Sequence, residues 1–316
     1  MRYVLRADAS NSIGTGHVMR LSAIGEELAA RGYHVIFVGD VSDVPWVKKR
    51  LFSLEFSNVL KEESDYISNS ENDVLILDSY NLPINHSFLA PNNWGKIVVI
   101  ADKLTPNYQA NLIIHPGISQ DWKPQTTGKF VSGAKFIPLR KTILKNVNKK
   151  IDSEELKIIV VGGGTDFFNF VNAVSEILKS LPNHFQANLF TNKSTNTQLD
   201  QRFTINPIGV NFDEKCAEAD LVFTTASTSS LEFLAREVAL GIGCATENQK
   251  HNFETLINLN LAVPIGLYFE NEWKMNLDAI ESLIVDKQMR NKLVSRGNEI
   301  IDLKGSSRIV DEILKL

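Results

Sequence analysis

The chain has 316 residues, more than one ordinary hydrophobic core holds, so we expect two domains. Hydrophobic residues make up 43% and charged residues 22%, which argues against a disordered chain. The formal charge of -4, with no basic face, argues against nucleic acid as a partner. Cys216 and Cys244 form neither a metal-ligand spacing nor a disulfide framework. No signal-peptide pattern follows Met1 and no run is long enough for a membrane span, so we expect a cytoplasmic protein.

Short apolar runs alternate with longer amphipathic stretches in the first half of the chain. A strand at 3–7 precedes a helix at 17–30, in which Leu21, Ile24 and Leu28 lie near helical spacing. Four more strands are predicted, at 34–38, 74–77, 96–101 and 112–115. Strands that are apolar on both faces and separated by helices are typical of a parallel sheet covered on both sides.

The segment 140–156, rich in lysine and arginine, interrupts this alternation and is the best candidate for a linker. A strand, a glycine turn and a helix then follow at 157–161, 162–166 and 167–181. Later strands are predicted at 187–190, 221–224 and 239–244, with a closing helix at 306–316. Both halves therefore open as strand, glycine turn and helix. This pattern predicts two similar domains, residues 1–145 and 146–316. We expect a ligand to bind in the cleft between them, where the carboxyl ends of the two sheets meet.

The first glycine turn joins the strand at 3–7 to the helix at 17–30. Gly14 and Gly16 would let a ligand approach the backbone, and the N–H groups of the helix start favour negative charge or sugar oxygens. His17 follows directly, where a neutral imidazole could take a proton from water or from a hydroxyl. The structural alternative is that His17 caps the helix or packs against the next strand.

The second glycine turn runs from Gly162 to Asp166. Three successive glycines destabilise any regular element, which indicates that exposed backbone has a purpose at this turn. One such purpose is binding a diphosphate through Gly163, Gly164 and Thr165. The alternative is a tight turn in which Asp166 caps the following helix. The turn does not match the GxxxxGK(S/T) pattern of the ATP-hydrolysing phosphate loop, because the lysine and the serine or threonine that end this pattern are missing, which argues against that chemistry.

A run of small hydroxyl residues follows the strand at 221–224. Ser227, Thr228 and Ser229 are residue types that phosphate and ribose sites use, and Glu232 could accept a hydrogen bond from a ribose diol. The spacing from Ser229 to Glu232 also fits a capping box, which is the structural alternative.

Polar residues follow several other strands, where the carboxyl ends of a parallel sheet meet. Those assigned to the sugar pocket are Asp8, Asp78, Tyr80, Asn248 and Gln249. Asp102 is placed similarly after its strand. Each of these positions also fits an ordinary turn or surface loop. No spacing of histidine, cysteine or carboxylate residues indicates a metal site, and none is predicted.

Taken together, these stretches resemble a known family. The segments 6–10 and 13–20 resemble the signature of the UDP-2,4-diacetamido-2,4,6-trideoxy-β-L-altropyranose hydrolases of pseudaminic acid biosynthesis. That family is similar in fold to the type B glycosyltransferases. The segments 163–166, 227–232 and 247–249 follow in order, so the resemblance covers nearly the whole chain. It implies an α/β fold of two Rossmann-like parallel-sheet domains facing each other across a cleft.

The resemblance also implies roles for individual residues. His17 would activate the water molecule that attacks the anomeric carbon. Gly14, Gly16 and Arg20 would belong to the sugar pocket beside it. The elements that bind UDP would be the turn at 163–166, the run at 227–229 and Glu232. The cleaved bond in that family is sugar C1–O, so UDP leaves, the sugar inverts and neither a cofactor nor a metal is needed. The small-molecule partner implied is a UDP-sugar.

The chain departs from the family pattern at three places that bear on which sugar is bound. Ser79 stands where histidine is common, Ala101 stands where a second aspartate is common, and 237–241 lacks the expected Leu-Gly-x-Pro turn. The main alternative function is transfer of the sugar to an acceptor. The segment 46–52 could then touch a membrane surface weakly, although an ordinary amphipathic helix also fits it. A non-catalytic protein that binds nucleotide sugars is the second alternative.

Overall fold

The structure is a computed structural model, and it describes residues 1–67, 72–119, 121–145, 155–195, 200–209 and 211–316. The chain forms two compact units, Met1–Lys141 with Leu303–Leu316, and Thr142–Asp302. Residues 146–154, most of the predicted linker, lie outside the described residues. The last fourteen residues belong to the first unit, whereas the sequence assigned them to the second domain.

The elements alternate along the chain. The strands are β1 (Arg2–Arg6), β2 (His34–Val38), β3 (Asn58–Leu60), β4 (Asp73–Leu77), β5 (Lys96–Ile100), β6 (Leu112–His115), β7 (Lys129–Ser132), β8 (Leu156–Val161), β9 (Phe185–Phe190), β10 (Phe203–Asn206), β11 (Leu221–Thr225), β12 (Ala239–Cys244), β13 (Val263–Phe269) and β14 (Glu272–Met275). The α-helices are α1 (Gly16–Ala30), α2 (Pro45–Phe52), α3 (Lys141–Lys145), α4 (Phe170–Ser180), α5 (Phe212–Cys216), α6 (Thr228–Leu234), α7 (Glu247–Asn258), α8 (Leu277–Val285), α9 (Lys287–Ile300) and α10 (Gly305–Ile313).

The first unit is built on a seven-stranded parallel sheet in the order β3-β2-β1-β4-β5-β6-β7. The central strand β1 pairs with β2 and β4, so Val4 lies between Ile36 and Leu75. Both faces are covered, because alternate residues of the same strands belong to two separate apolar clusters. This explains why these strands are continuous apolar runs in the sequence.

Helices α1, α2 and α10 cover one face of this sheet. Ile309 and Val310 of α10 are buried in the same cluster as Leu21 and Ile24 of α1, which is why the C-terminal segment belongs to the first unit. Helix α2 buries Val47 and Leu51 on one side, so the segment 46–52 forms an amphipathic helix. No helix among the described residues is long and apolar enough to cross a membrane.

The second unit repeats this winding. Its sheet has the order β10-β9-β8-β11-β12-β13-β14, which is the order of the first sheet with every strand number raised by seven. Among the described strands of this sheet, β13 and β14 pair antiparallel and the other neighbours pair parallel. The fold class predicted from the sequence, two Rossmann-like α/β domains, is confirmed.

The strand order reverses at one point in each sheet, between β1 and β4 and between β8 and β11. In open α/β sheets, ligands bind outside the carboxyl ends of the strands at such a reversal. A ligand site is therefore expected at the segments that follow β1 and β4 in the first unit, and at those that follow β8 and β11 in the second.

Candidate functional site

His17 lies in the first turn of α1, at the point where the first sheet reverses. The loop before it closes with a hydrogen bond from the Gly14 N–H to the Ser10 carbonyl of 2.9 Å. Gly14 has a φ of 81°, a left-handed conformation that favours glycine. His17 is 7% exposed. Thr15 is the N-cap of α1 and makes no side-chain capping bond, so the alternative in which His17 itself caps the helix is wrong.

The imidazole of His17 is held by the carboxylate of Asp78, which follows β4. The Nδ1 atom of His17 lies 2.5 Å from Oδ1 of Asp78, and Asp78 is 1% exposed. A carboxylate accepts hydrogen bonds, so Nδ1 carries the ring hydrogen and Nε2 is left as the basic nitrogen. Among the described residues, the polar contacts of the His17 ring with Asp78 and Arg20 both involve Nδ1.

Arg20 binds the same carboxylate from one helical turn further along α1. Its Nε donates to Oδ2 of Asp78 and a terminal nitrogen donates to Oδ1, each at 2.8 Å. Burial alone would raise the pKa of Asp78, but the charge of Arg20 and the hydrogen bonds from His17 and Arg20 outweigh burial, so this pKa lies below its usual range. Asp78 is therefore ionised at neutral pH although it is buried.

Tyr80 forms one wall beside the His17 ring. The two ring centroids are 4.5 Å apart and the planes are nearly perpendicular. The Tyr80 hydroxyl donates a hydrogen bond to Asp102, which follows β5. Burial is the largest cause of a raised Tyr80 pKa, so the hydroxyl remains a donor at neutral pH. Ser79, one of the three departures from the family, is buried and accepts hydrogen bonds from the backbone of Asn81 and Leu82, which shapes this turn.

Asp8 follows β1 but has different partners. Its Oδ1 accepts from the Asp40 N–H at 2.9 Å and lies 2.7 Å from a terminal nitrogen of Arg6. The structure thus brings Asp78, Arg20 and Tyr80 together with His17, whereas the described contacts of Asp8 lead to β1 and to the segment after β2. Asp8 remains a sugar-pocket prediction without a contact to this cluster.

The glycine turn of the second unit follows β8, and Asp166 supports it. Asp166 is fully buried, accepts a hydrogen bond from the Thr191 hydroxyl at 2.8 Å and accepts another from the Val171 N–H at 3.3 Å. Burial raises its pKa, and these hydrogen bonds offset only part of the rise. Asn169, not Asp166, is the N-cap of α4, yet the Asp166 carboxylate does bind an N–H of the first turn of that helix.

The glycine turn adjoins the hydroxyl run at the reversal of the second sheet. A Cβ atom built on Gly163 would lie 3.7 Å from Oγ1 of Thr225 and 3.9 Å from Oγ of Ser227. Ser227 and Ser229 join their hydroxyls at 2.8 Å. The glycine turn and the hydroxyl run of two neighbouring strand ends therefore lie close together, and backbone N–H groups and hydroxyls are the kinds of donor that bind phosphate.

Helix α6 starts one residue after Ser227, with Thr228 as its first residue. Ser227 is the N-cap, so the predicted capping box from Ser229 to Glu232 does not form. Glu232 lies half-buried one turn into this short helix. The structural alternative for Glu232 is thus wrong, and its ribose-binding role remains a prediction.

The segment after β12 holds the remaining predicted residues. Gln249 accepts a hydrogen bond from the Ala245 N–H at 3.0 Å, and Asn248 accepts one from the Thr246 hydroxyl. Both side chains shape the start of α7. Asn252, which the sequence did not single out, donates to the Ala226 carbonyl and to the Ser230 hydroxyl, both at 3.0 Å. The only feature of the sequence that could have indicated Asn252 is its position one helical turn after Asn248, on the same face of α7.

Across the parts of the chain that the structure describes, no three histidine, cysteine or carboxylate side chains group as metal ligands do.

Comparison with known proteins gives a fold but no family. No family model matches the chain, and no curated protein matches it. Solved structures do match over nearly the whole length. MurG of Acinetobacter baumannii is 14% identical with a TM-score of 0.62, and 100% of each chain is covered. The glycotransferase of kitacinnamycin is 15% identical with a TM-score of 0.65, covering 99% of this chain and 98% of that one.

A third solved structure contains a nucleotide. MnaA of S. aureus, in a co-structure with UDP, is 14% identical with a TM-score of 0.61, covering 99% of this chain and 95% of that one. At these identities the likenesses show the fold alone. They agree with the fold of two Rossmann-like parallel-sheet domains that the sequence resemblance implied.

Proposed function

We propose that this protein hydrolyses a UDP-activated amino or deoxy sugar at the anomeric C–O bond, releasing UDP and the sugar. The observation that carries the proposal is the orientation of His17, whose Nδ1 is held 2.5 Å from Asp78 at the reversal of the first sheet. A product of this kind suits nonulosonic acid or surface-glycan biosynthesis, as in the pseudaminic acid family that the sequence resembles.

His17 would act as a general base toward water. Nε2 takes a proton from a water molecule as its oxygen attacks the anomeric carbon, and the electron pair of the C1–O bond leaves with UDP. Asp78 stabilises the imidazolium that forms and keeps the ring in the required tautomer. Attack from the face opposite UDP inverts the anomeric centre.

The second unit would bind UDP and stabilise the leaving group. The backbone of Gly163 and Gly164, together with the hydroxyls of Thr165, Ser227 and Ser229, supplies donors for the diphosphate. Fixed donors aimed at a developing negative charge are commonly the largest single contribution to catalysis of this type. The binding of UDP by MnaA, which shares the fold, supports this assignment.

Transfer of the sugar to an acceptor is the second candidate, and the likeness to the glycotransferase of kitacinnamycin favours it. An acceptor hydroxyl would then replace water beside His17, with the same base and the same leaving group. Segment 46–52 would matter only in that case, through a weak contact with a membrane surface.

One experiment tests the proposal. The protein is incubated in ¹⁸O-water with a panel of UDP-sugars and no acceptor, and mass spectrometry determines which product carries the ¹⁸O label. We expect UDP release with the label in the sugar, because His17 directs water to carbon. Label in UDP would show attack at phosphorus and refute the mechanism. Absence of release from UDP-sugars that demonstrably bind would favour transfer.

Replacement of Glu232 by alanine should weaken UDP binding by about 1–3 kcal/mol, because a hydrogen bond from the ribose to a charged acceptor is lost. Calorimetry with UDP measures this difference. The matched control is Glu281→Ala, which removes an exposed glutamate from α8 of the same unit and should leave UDP affinity unchanged. Unchanged affinity in Glu232→Ala as well would remove Glu232 from the ribose site.

A further inference from the structure

Two charges of opposite sign act on the His17 ring at the same nitrogen. The carboxylate of Asp78 lies 2.5 Å from Nδ1, and a terminal nitrogen of Arg20 lies 3.1 Å from that same Nδ1. His17 and Arg20 are three residues apart on α1, which places both side chains on one face of the helix. Asp78 approaches them from the segment after β4.

The contact between Arg20 and Nδ1 is not a hydrogen bond in the state that catalysis needs. Nδ1 carries a hydrogen directed at Asp78, and a guanidinium has donors only, so two donors face each other there. Arg20 therefore opposes protonation of the ring, whereas Asp78 favours it. The guanidinium is simultaneously bound through two nitrogens to both carboxylate oxygens.

We propose that Arg20 is a positioning residue that offsets the charge of Asp78, so that His17 is oriented by a carboxylate without being held as imidazolium. This inference rests on the proposed function, because it assigns Arg20 a part in preparing the base. It also gives Arg20 a different role from the sugar contact that the sequence resemblance implied.

Beyond Arg20 and Asp78, two further groups lie near His17, and one of them, the carboxylate of Asp102, also acts on the charge of Arg20. Tyr80 packs its ring against the imidazole, and its raised pKa keeps it uncharged at neutral pH. Asp102 lies behind Tyr80 and binds the hydroxyl of that residue. For Arg20 itself, burial lowers the pKa, but the charge and hydrogen bonds of Asp78 outweigh burial and the pKa lies above its usual value. Arg20 therefore stays positively charged over the whole pH range in which enzymes are active.

The proposal predicts shifts of opposite direction from two substitutions. In Arg20→Gln the uncompensated carboxylate stabilises the imidazolium, so the acid limb of the pH profile of kcat should move up by about one pH unit or more. In Asp78→Asn the cation acts alone, so the limb should move down by a similar amount, while the plateau of kcat falls because the tautomer is no longer fixed. The double variant should return the limb to within about half a pH unit of the parent.

A direct titration of the ring separates this inference from the proposed function. The imidazole signals are followed by NMR against pH in the full chain without substrate, and His17 is assigned by its absence in His17→Asn. The titration midpoint of His17 should move up in Arg20→Gln and down in Asp78→Asn. Arg20→Lys keeps the charge and should stay near the parent, which guards against a loss of structure in Arg20→Gln.

Shifts in the same direction in both single variants, or no shift in either, would overturn the role of Arg20. Opposite shifts in a protein that releases no UDP from any UDP-sugar would leave the charge balance intact and refute the hydrolase. UDP release with unshifted titrations would refute the charge balance and leave the hydrolase standing.

Discussion

Replacing His17 with asparagine is expected to lower kcat about 1,000-fold, within the range that a positioned general base contributes. The affinity for UDP should change little, because the residues proposed to bind UDP lie on the second unit while His17 lies on the first. Asparagine can still donate a hydrogen bond to Asp78 through its amide, so the buried carboxylate keeps a partner and the fold should be retained. Turnover measured as UDP release, beside calorimetry with UDP, gives both quantities.

His34→Asn is the matched control for this prediction. His34 is an exposed histidine of the same unit, at the start of β2, and its described polar contact is with the hydroxyl of Ser57. Its replacement should leave kcat unchanged. Activity of His17→Asn within a few-fold of the parent would assign the base to another residue. A parallel loss of UDP affinity would instead indicate that the substitution disturbs more than proton transfer.

The sequence predicts the strands that are buried on both faces of their sheet. The runs that became β1, β2, β4 and β5 are continuous and apolar because helices or loops cover both sides of them. Strands near the edges gave no such signal. β13 contains Pro264 and Gly266 and exposes Leu267, while β14 is short and mixed, so neither was predicted.

The position of α10 was not readable for a different reason. Its helical period predicts a buried face, but a period does not say which sheet that face meets. The structure shows that Gly305 passes close to the backbone of Ile137, where a Cβ atom would lie 1.8 Å from the Ile137 carbonyl oxygen. That approach, together with Ile309 and Ile313 in the first apolar cluster, brings the chain end back to the first unit.

The candidate site likewise has a part that the sequence predicts and a part that it does not. Glycine turns between a strand and a helix are local patterns, so Gly14, His17 and Gly163 could be identified as candidates in sequence order. The pairing of Arg20 with Asp78 joins residues 58 positions apart and depends on β1 and β4 being neighbours. The sequence therefore predicted Asp78 only as a sugar contact, which stays a prediction, and it did not indicate that Asp78 binds Arg20 and His17.

The second large effect concerns the turn proposed to bind the diphosphate. Gly162→Ala should lower UDP affinity at least about tenfold and destabilise the second unit by about 1–3 kcal/mol, as overpacking of a tight site does. A Cβ atom at this position would lie 2.0 Å from Oδ1 of Asp166. That oxygen has little room to retreat, since Asp166 is fully buried and its carboxylate is bound by Thr191 and by the N–H of Val171. Calorimetry with UDP and thermal unfolding measure the two effects.

Two further variants separate the steric cause from a general cost of alanine. Gly297→Ala, in α9 of the same unit, places its Cβ 3.4 Å from Leu234, an ordinary contact, and should retain UDP affinity. In Gly162→Ala with Asp166→Ala the obstructing oxygen is gone and the nearest remaining atom that the Cβ meets is the Asp166 Cα at 3.2 Å, which a small adjustment relieves. The double variant should therefore lose less stability than the sum of the two single variants. Additive losses would show that Asp166 does not obstruct the added methyl group, and UDP affinity equal to the parent in Gly162→Ala would place the diphosphate away from this turn.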